Sequence, residues 1–248
     1  MRQNGISVRP AMVLRWLIGV ITVLLLLSLT VSVLAWPFGH DHLFGLAAKF
    51  RVAGERNIPT YFAAAQLALA AVLLALTASW HVAAATGEGR PWSVLAVGFA
   101  AMSMEEIAGL HEYSSSLVYD ALGIEGASAF HFAWVVPALL LVALLALYFV
   151  RFLLAQPSRT RNLFVLSGVL FVGGAVGMEM VGGYYQSIQS QPLILGTATY
   201  FVYDMIATLE EALEFFAIAI FIYALLDYCE RRLGEVRIRF GHGPAPAE

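Results

Sequence analysis

The sequence predicts an all-α, polytopic membrane protein of six transmembrane helices, with the N-terminus and C-terminus both cytoplasmic. Three observations predict it. First, 60% of the 248 residues are apolar and only 12% charged, with a mean hydropathy of +0.78. Soluble domains carry roughly a quarter charged residues, so half that share signals a chain adapted to lipid. Second, apolar stretches near the ~20 residues that cross a bilayer recur along the chain. Third, the basic residues alternate in a strongly one-sided way.

The six segments are read at about 13–36, 60–82, 92–117, 131–153, 163–186 and 198–226. Short polar or turn-forming stretches such as "TGEGRP" and "QPSRTRN" separate them, and none is long enough to divide two domains. Residues 1–230 therefore form a single six-helix transmembrane domain, and 231–248, ending "GHGPAPAE", a short disordered cytoplasmic tail. The first apolar run is longer than a signal-peptide core, so it is read as a helix and not as a cleaved leader.

With the N-terminus inside, the inner side holds Arg2, Arg9, Arg15, Arg90, Arg151, Arg159, Arg161, Arg231, Arg232, Arg237 and Arg239. The outer side holds Lys49, Arg51 and Arg56, so eleven of the 14 basic residues are inside, as positive-inside orientation requires. Trp16, Trp36, Trp80 and Trp92 fall near segment ends, where indole rings favour the membrane interface.

The composition also excludes function classes. No basic patch recommends nucleic acid. A single cysteine, Cys229, rules out an internal disulfide and a Cys-based zinc or iron–sulfur site. The lone lysine, Lys49, is placed in a loop, which argues against a retinal or pyridoxal Schiff base. The partners left are the lipid bilayer and either a larger membrane complex or a homo-oligomer.

Against this background the stretch "AMSMEEIAGLHEYSSS" at 101–116 is anomalous. It sets Glu105, Glu106, His111 and Glu112 inside an apolar segment. Two further segments carry acids: "GAVGMEMVGGYYQ" with Glu179, and "YFVYDMIATLEEALEFF" with Asp204, Glu210, Glu211 and Glu214. Each such charge costs about 2.5–3.5 kcal/mol at mid-membrane on the insertion scale. No Arg or Lys lies between Arg90 and Arg151 or between Arg161 and Arg231, so these helices offer the acids no ion-pair partner of their own. The acids must be protonated, hydrated in a cavity or bound to a cation.

Helical spacing predicts how they meet. Glu105–Glu112 and Asp204–Glu211 are both two turns apart. Antiparallel packing would place Glu105 beside Glu211 and Glu112 beside Asp204, in two layers open toward the outside. Gly98, Ala101, Gly109 and Ser116 share the stripe of Glu105 and Glu112, while Ala175, Gly182, Gly183 and Gln186 share the face of Glu179. Small residues let another helix approach closely.

Carboxylates and imidazoles on facing helices are how bundles hold paired metals. The favoured expectation is thus a buried carboxylate/His site binding divalent metal ions (Fe, Mn or Zn) for redox or hydrolytic chemistry. The metal ligands would be Glu105, His111, Glu112, Glu179, Asp204 and Glu211. Glu106 and Glu214 would handle protons in catalysis, and Tyr200 and Tyr203 would orient the carboxylates or a cofactor. The Glu-x-x-His pair of di-iron bundles is missing, because Ala108 precedes His111 by three. Haem b between His111 and His131 is a secondary reading. "HDH" at 40–42 reads first as a solvated loop, and His81 as a side chain snorkelling to water. Two alternatives use the same acids: a proton- or cation-coupled transporter, and an accessory subunit with a structural polar core.

The strings "ERNIPTYF", "SMEEIAGLHE", "GAVGMEMVGG" and "LEEALEFFAIAIFIYALL" resemble those of a group of uncharacterised bacterial multi-pass membrane proteins. In that group an acidic pair followed by His-Glu recurs on one helix. The resemblance runs from about residue 50 to 226 and implies a bacterial inner-membrane location, with no activity attached.

Overall fold

The computed structural model describes residues 5–7, 9–36, 38–39, 45–110, 118, 130–232 and 237–239. Its elements are a short strand β1 (Gly5–Ser7), then helices α1 (Pro10–Ala35), α2 (Leu46–Phe50), α3 (Ile58–Ala83), α4 (Gly89–Ala108), α5 (Val135–Ala155) and α6 (Ser158–Val172). A π-helical segment, Gly173–Met178, joins α6 to α7 (Glu179–Ser187); α8 (Ala198–Arg232) and strand β2 (Arg237–Arg239) follow. Among the described residues, five helical stretches are long and apolar enough to cross a membrane: α1, α3, α5, Ser158–Ser187 and α8.

Local chemistry sets the helix starts. Pro10 and Pro59 occupy first-turn positions, where their missing N–H costs nothing. Asn57 caps α3 by accepting from the Thr60 backbone N–H at 3.1 Å. Its amide nitrogen donates to the carbonyls of Arg51 at 2.7 Å and Gly54 at 2.8 Å, so one side chain both caps the helix and ties down the loop before it. Asn57→Ala is expected to lower stability by about 1–2 kcal/mol, read as a drop in the thermal midpoint of the purified protein. At the start of α8, Thr197 Oγ1 accepts from the Tyr200 N–H at 3.2 Å.

The bundle is organised around α8. Two-thirds of its apolar window (67%) is buried, against 6% for α5, so α8 is the central post and α5 an outlying helix. Phe99 of α4 stacks on Phe221 of α8 at 4.6 Å. Ser167 of α6 donates to the Ala217 carbonyl at 2.8 Å, letting α6 and α8 approach closely. Helix α1 lies along α8, and α3 packs against both α4 and α8.

Several expectations are corrected here. The third segment is broken at Gly109: α4 ends at Ala108, and Gly109 takes a left-handed conformation (φ 60°) and returns its N–H to the Glu105 carbonyl at 2.8 Å. Glycine at this position is a helix terminator, a role that reading it as one more small residue in a stripe concealed. The fifth segment is interrupted by the π turn. Trp92 is not interfacial but fully buried, edge-on to Phe152 and Phe164. His81 does not snorkel; it is buried, with Nδ1 2.7 Å from Thr86 Oγ1 and Nε2 2.9 Å from the Tyr228 hydroxyl. Lys49 lies in the short helix α2. The expected disordered tail contributes β2, which pairs antiparallel with β1, Gly5 opposite Arg239 and Ser7 opposite Arg237.

Candidate functional site: glutamates between α4, α7 and α8

Three elements bring acids together. The last turn of α4 carries Glu105 and Glu106, α7 opens on Glu179 directly after the π turn, and α8 presents Glu210, Glu211 and Glu214. Glu211 lies within electrostatic reach of Glu106 and Glu179. Glu214 lies within reach of Glu211, Glu210, Glu106 and Glu179. Glu210 in turn lies within electrostatic reach of Glu179 and Glu211. All five side chains are half-buried, as expected of groups lining a cleft between helices.

The close approach behind this has a local cause. Gly174, in the π turn, sits against α8: a Cβ there would stand 2.9 Å from the Glu210 carbonyl oxygen and 2.9 Å from Glu214 Cγ. The π turn adds one residue per turn, which alters the face on which Glu179 emerges; such turns recur at functional sites. Trp134, just before α5, donates its indole N–H to Glu179 Oε1 at 2.9 Å. Tyr203 lies within reach of Glu179 and Glu210. Gly182 approaches Tyr203, and Gly183 approaches His131 and Phe132, so the small residues on the Glu179 face do admit neighbours. The stripe on α4 behaves differently, since a Cβ on Gly98 would meet no described atom within 4 Å.

Asp204 belongs to a separate node. Ser32 of α1 donates to its Oδ2, and the Arg51 guanidinium lies 3.6 Å from the same oxygen and over the Tyr200 ring at 5.5 Å. Asp204 is 1% and Arg51 8% exposed, which makes this a buried ion pair. An arginine from the α2–α3 loop thus reaches an acid that its own helix leaves unbalanced. Asp204, expected among the metal ligands, is here the partner of a buried arginine.

The predicted site residues divide accordingly. Glu106, Glu179, Glu211 and Glu214 come together, with Tyr203 beside them. Glu105 is half-buried on the same turn as Glu106, which reaches Glu211. Tyr200 packs under Arg51. His111, Glu112 and the 40–42 motif lie outside the described residues, so neither the Glu112–Asp204 layer nor a His111–His131 pair can be placed. Among the described residues no group of three or more His, Cys, Asp and Glu side chains is arranged to hold a metal ion. Glu210, Trp134, Ser32 and Arg51 are additions. Glu210 shares the acidic face of α8 and was legible; the others come from loops and a neighbouring helix, where no periodicity points to them.

The fold is thus that of an all-helical protein, its two-stranded ribbon apart, with apolar helices of membrane-spanning length and a group of facing glutamates. The chain belongs to the family described as Domain of unknown function (DUF8692), which matches residues 14–229. No curated protein and no solved structure matches it.

Proposed function

We propose that the protein moves protons or a small cation across a bacterial inner membrane through Glu106, Glu179, Glu210, Glu211 and Glu214. The observation that supports the reading is the gathering of Glu106, Glu179, Glu210, Glu211 and Glu214 between α4, α7 and α8. Two carboxyls can hydrogen-bond only if one holds a proton, and a group poised to share one is suited to passing it on.

Six crossings suit this role. The β1–β2 pairing sets residues 5–7 beside 237–239, which supports an even number of passes. With five apolar stretches of spanning length among the described residues, α4 would be the sixth; its 20 residues extend about 30 Å. The arginine-rich end that carries both termini is then cytoplasmic, and the glutamates open toward the periplasm.

The test is flux in sealed vesicles carrying the purified protein, under an imposed pH gradient or voltage. Glu179→Gln and Glu211→Gln should each reduce flux at least tenfold. Absence of flux in the unsubstituted protein, or equal flux in the variants, contradicts transport. Stoichiometric metal that survives purification and is lost in Glu211→Ala would favour the metal-dependent enzyme instead. Stable copurification with a partner, together with tolerance of Glu→Gln, would favour an accessory subunit.

A further inference from the structure

The outlying position of α5 leaves a crevice of about 250 Å³ between it and α4, α6 and α8. Phe149 and Phe152 of α5 face Phe164 and Phe171 of α6 across it, with Phe99 and Phe221 behind. The one hydroxyl in its wall, that of Ser167, is committed to the Ala217 carbonyl. Small-molecule sites combine apolar walls with a few polar groups that fix orientation. This wall offers no free polar group, so it suits a plain hydrocarbon chain and not a functionalised ligand. An empty crevice would forfeit dispersion contacts along its whole lining, and in a bilayer the phase at its opening is acyl chain.

What lies at its mouth selects the lipid. On α6, Arg161 precedes Phe164, Gly168 and Phe171 by three, seven and ten residues, placing it on the same face at the arginine-rich end. Its neighbour Arg159 is engaged by Asp227 at 3.1 Å and by the Tyr223 hydroxyl at 2.7 Å, and Arg231 shares Asp227 at 2.9 Å. Arg161 is half-buried and has no side-chain partner among the described residues. Basic groups between transmembrane helices at this level bind anionic head groups. We infer that the crevice between α5 and α6 binds one acyl chain of an anionic phospholipid whose phosphate rests on Arg161. The inference is independent of the glutamate site.

Trp92 reports on this directly, since its ring lies 5.0 Å from that of Phe152 and 6.0 Å from that of Phe164. In a full-length variant whose only tryptophan is Trp92, phosphatidylglycerol with brominated chains should quench the fluorescence strongly. Phosphatidylcholine with the same chains should require severalfold more lipid. Gly168→Leu fills the crevice at a position where a Cβ meets nothing within 4 Å, so the fold is spared while quenching should fall by more than half. Ala146→Leu on the opposite wall should act alike. Arg161→Gln should weaken the phosphatidylglycerol response about fivefold and leave phosphatidylcholine unchanged. Undiminished quenching in both filled variants, or equal response to the two lipids before and after Arg161→Gln, would overturn the inference.

Discussion

Arg51→Gln is expected to cost about 3–5 kcal/mol of stability, because it strands Asp204 as an uncompensated buried charge. Asp204→Asn should cost a similar amount, by stranding the guanidinium. Two Arg51 nitrogens and Asp204 Oδ1 already lack hydrogen-bond partners, so the pair depends on its own attraction and on Ser32. The double variant Arg51→Met with Asp204→Leu should recover most of the loss, since a buried pair replaced by apolar groups of similar size is often neutral. A double-mutant cycle on thermal unfolding in detergent measures the coupling. Two additive single losses would show that the pair does not act as a unit. Asn57, which holds the Arg51 carbonyl, should weaken the same node more mildly when replaced.

Gly174→Leu is expected to have the second large effect. Even a methyl group there would stand 2.9 Å from the backbone of α8. Overpacking of this kind costs about 1–3 kcal/mol, and leucine belongs at the upper end. The cost should be accompanied by loss of function, because the displaced atoms belong to Glu210 and Glu214. Gly168→Ala, six residues earlier, meets open space and should leave stability unchanged or slightly improved. Comparing the two by thermal midpoint and by vesicle flux separates close approach at the site from a general intolerance of α6. Equal effects at both positions would contradict the role given to Gly174.

Most of the architecture could be read from the sequence. Apolar length located all five helical stretches that are long and apolar enough to cross a membrane among the described residues, and the acids of α8 stood out in the string "YFVYDMIATLEEALEFF". Periodicity fails where the helix itself is interrupted. It ran the third segment through Gly109, although that glycine is the terminator of α4. It likewise could not register the π turn at Gly173–Met178, which resets the phase of Glu179 against the glycines before it. The Arg51–Asp204 pair was hidden for another reason. Counting cations within a helix cannot anticipate a loop residue far along the chain folding back beneath Tyr200. Trp92 and His81 misled because position near a segment end says where a side chain starts, not which neighbours enclose it.

At the centre of the account is a proton held between carboxyls inside the bundle. Infrared spectroscopy of the protein in lipid vesicles measures it directly, through the C=O stretch of a protonated, hydrogen-bonded carboxyl at neutral pH. The account predicts such a band, sensitive to deuterium exchange and removed or shifted by either Glu179→Gln or Glu210→Gln, but not by Lys49→Gln. No band, or one indifferent to both glutamate substitutions, would contradict it.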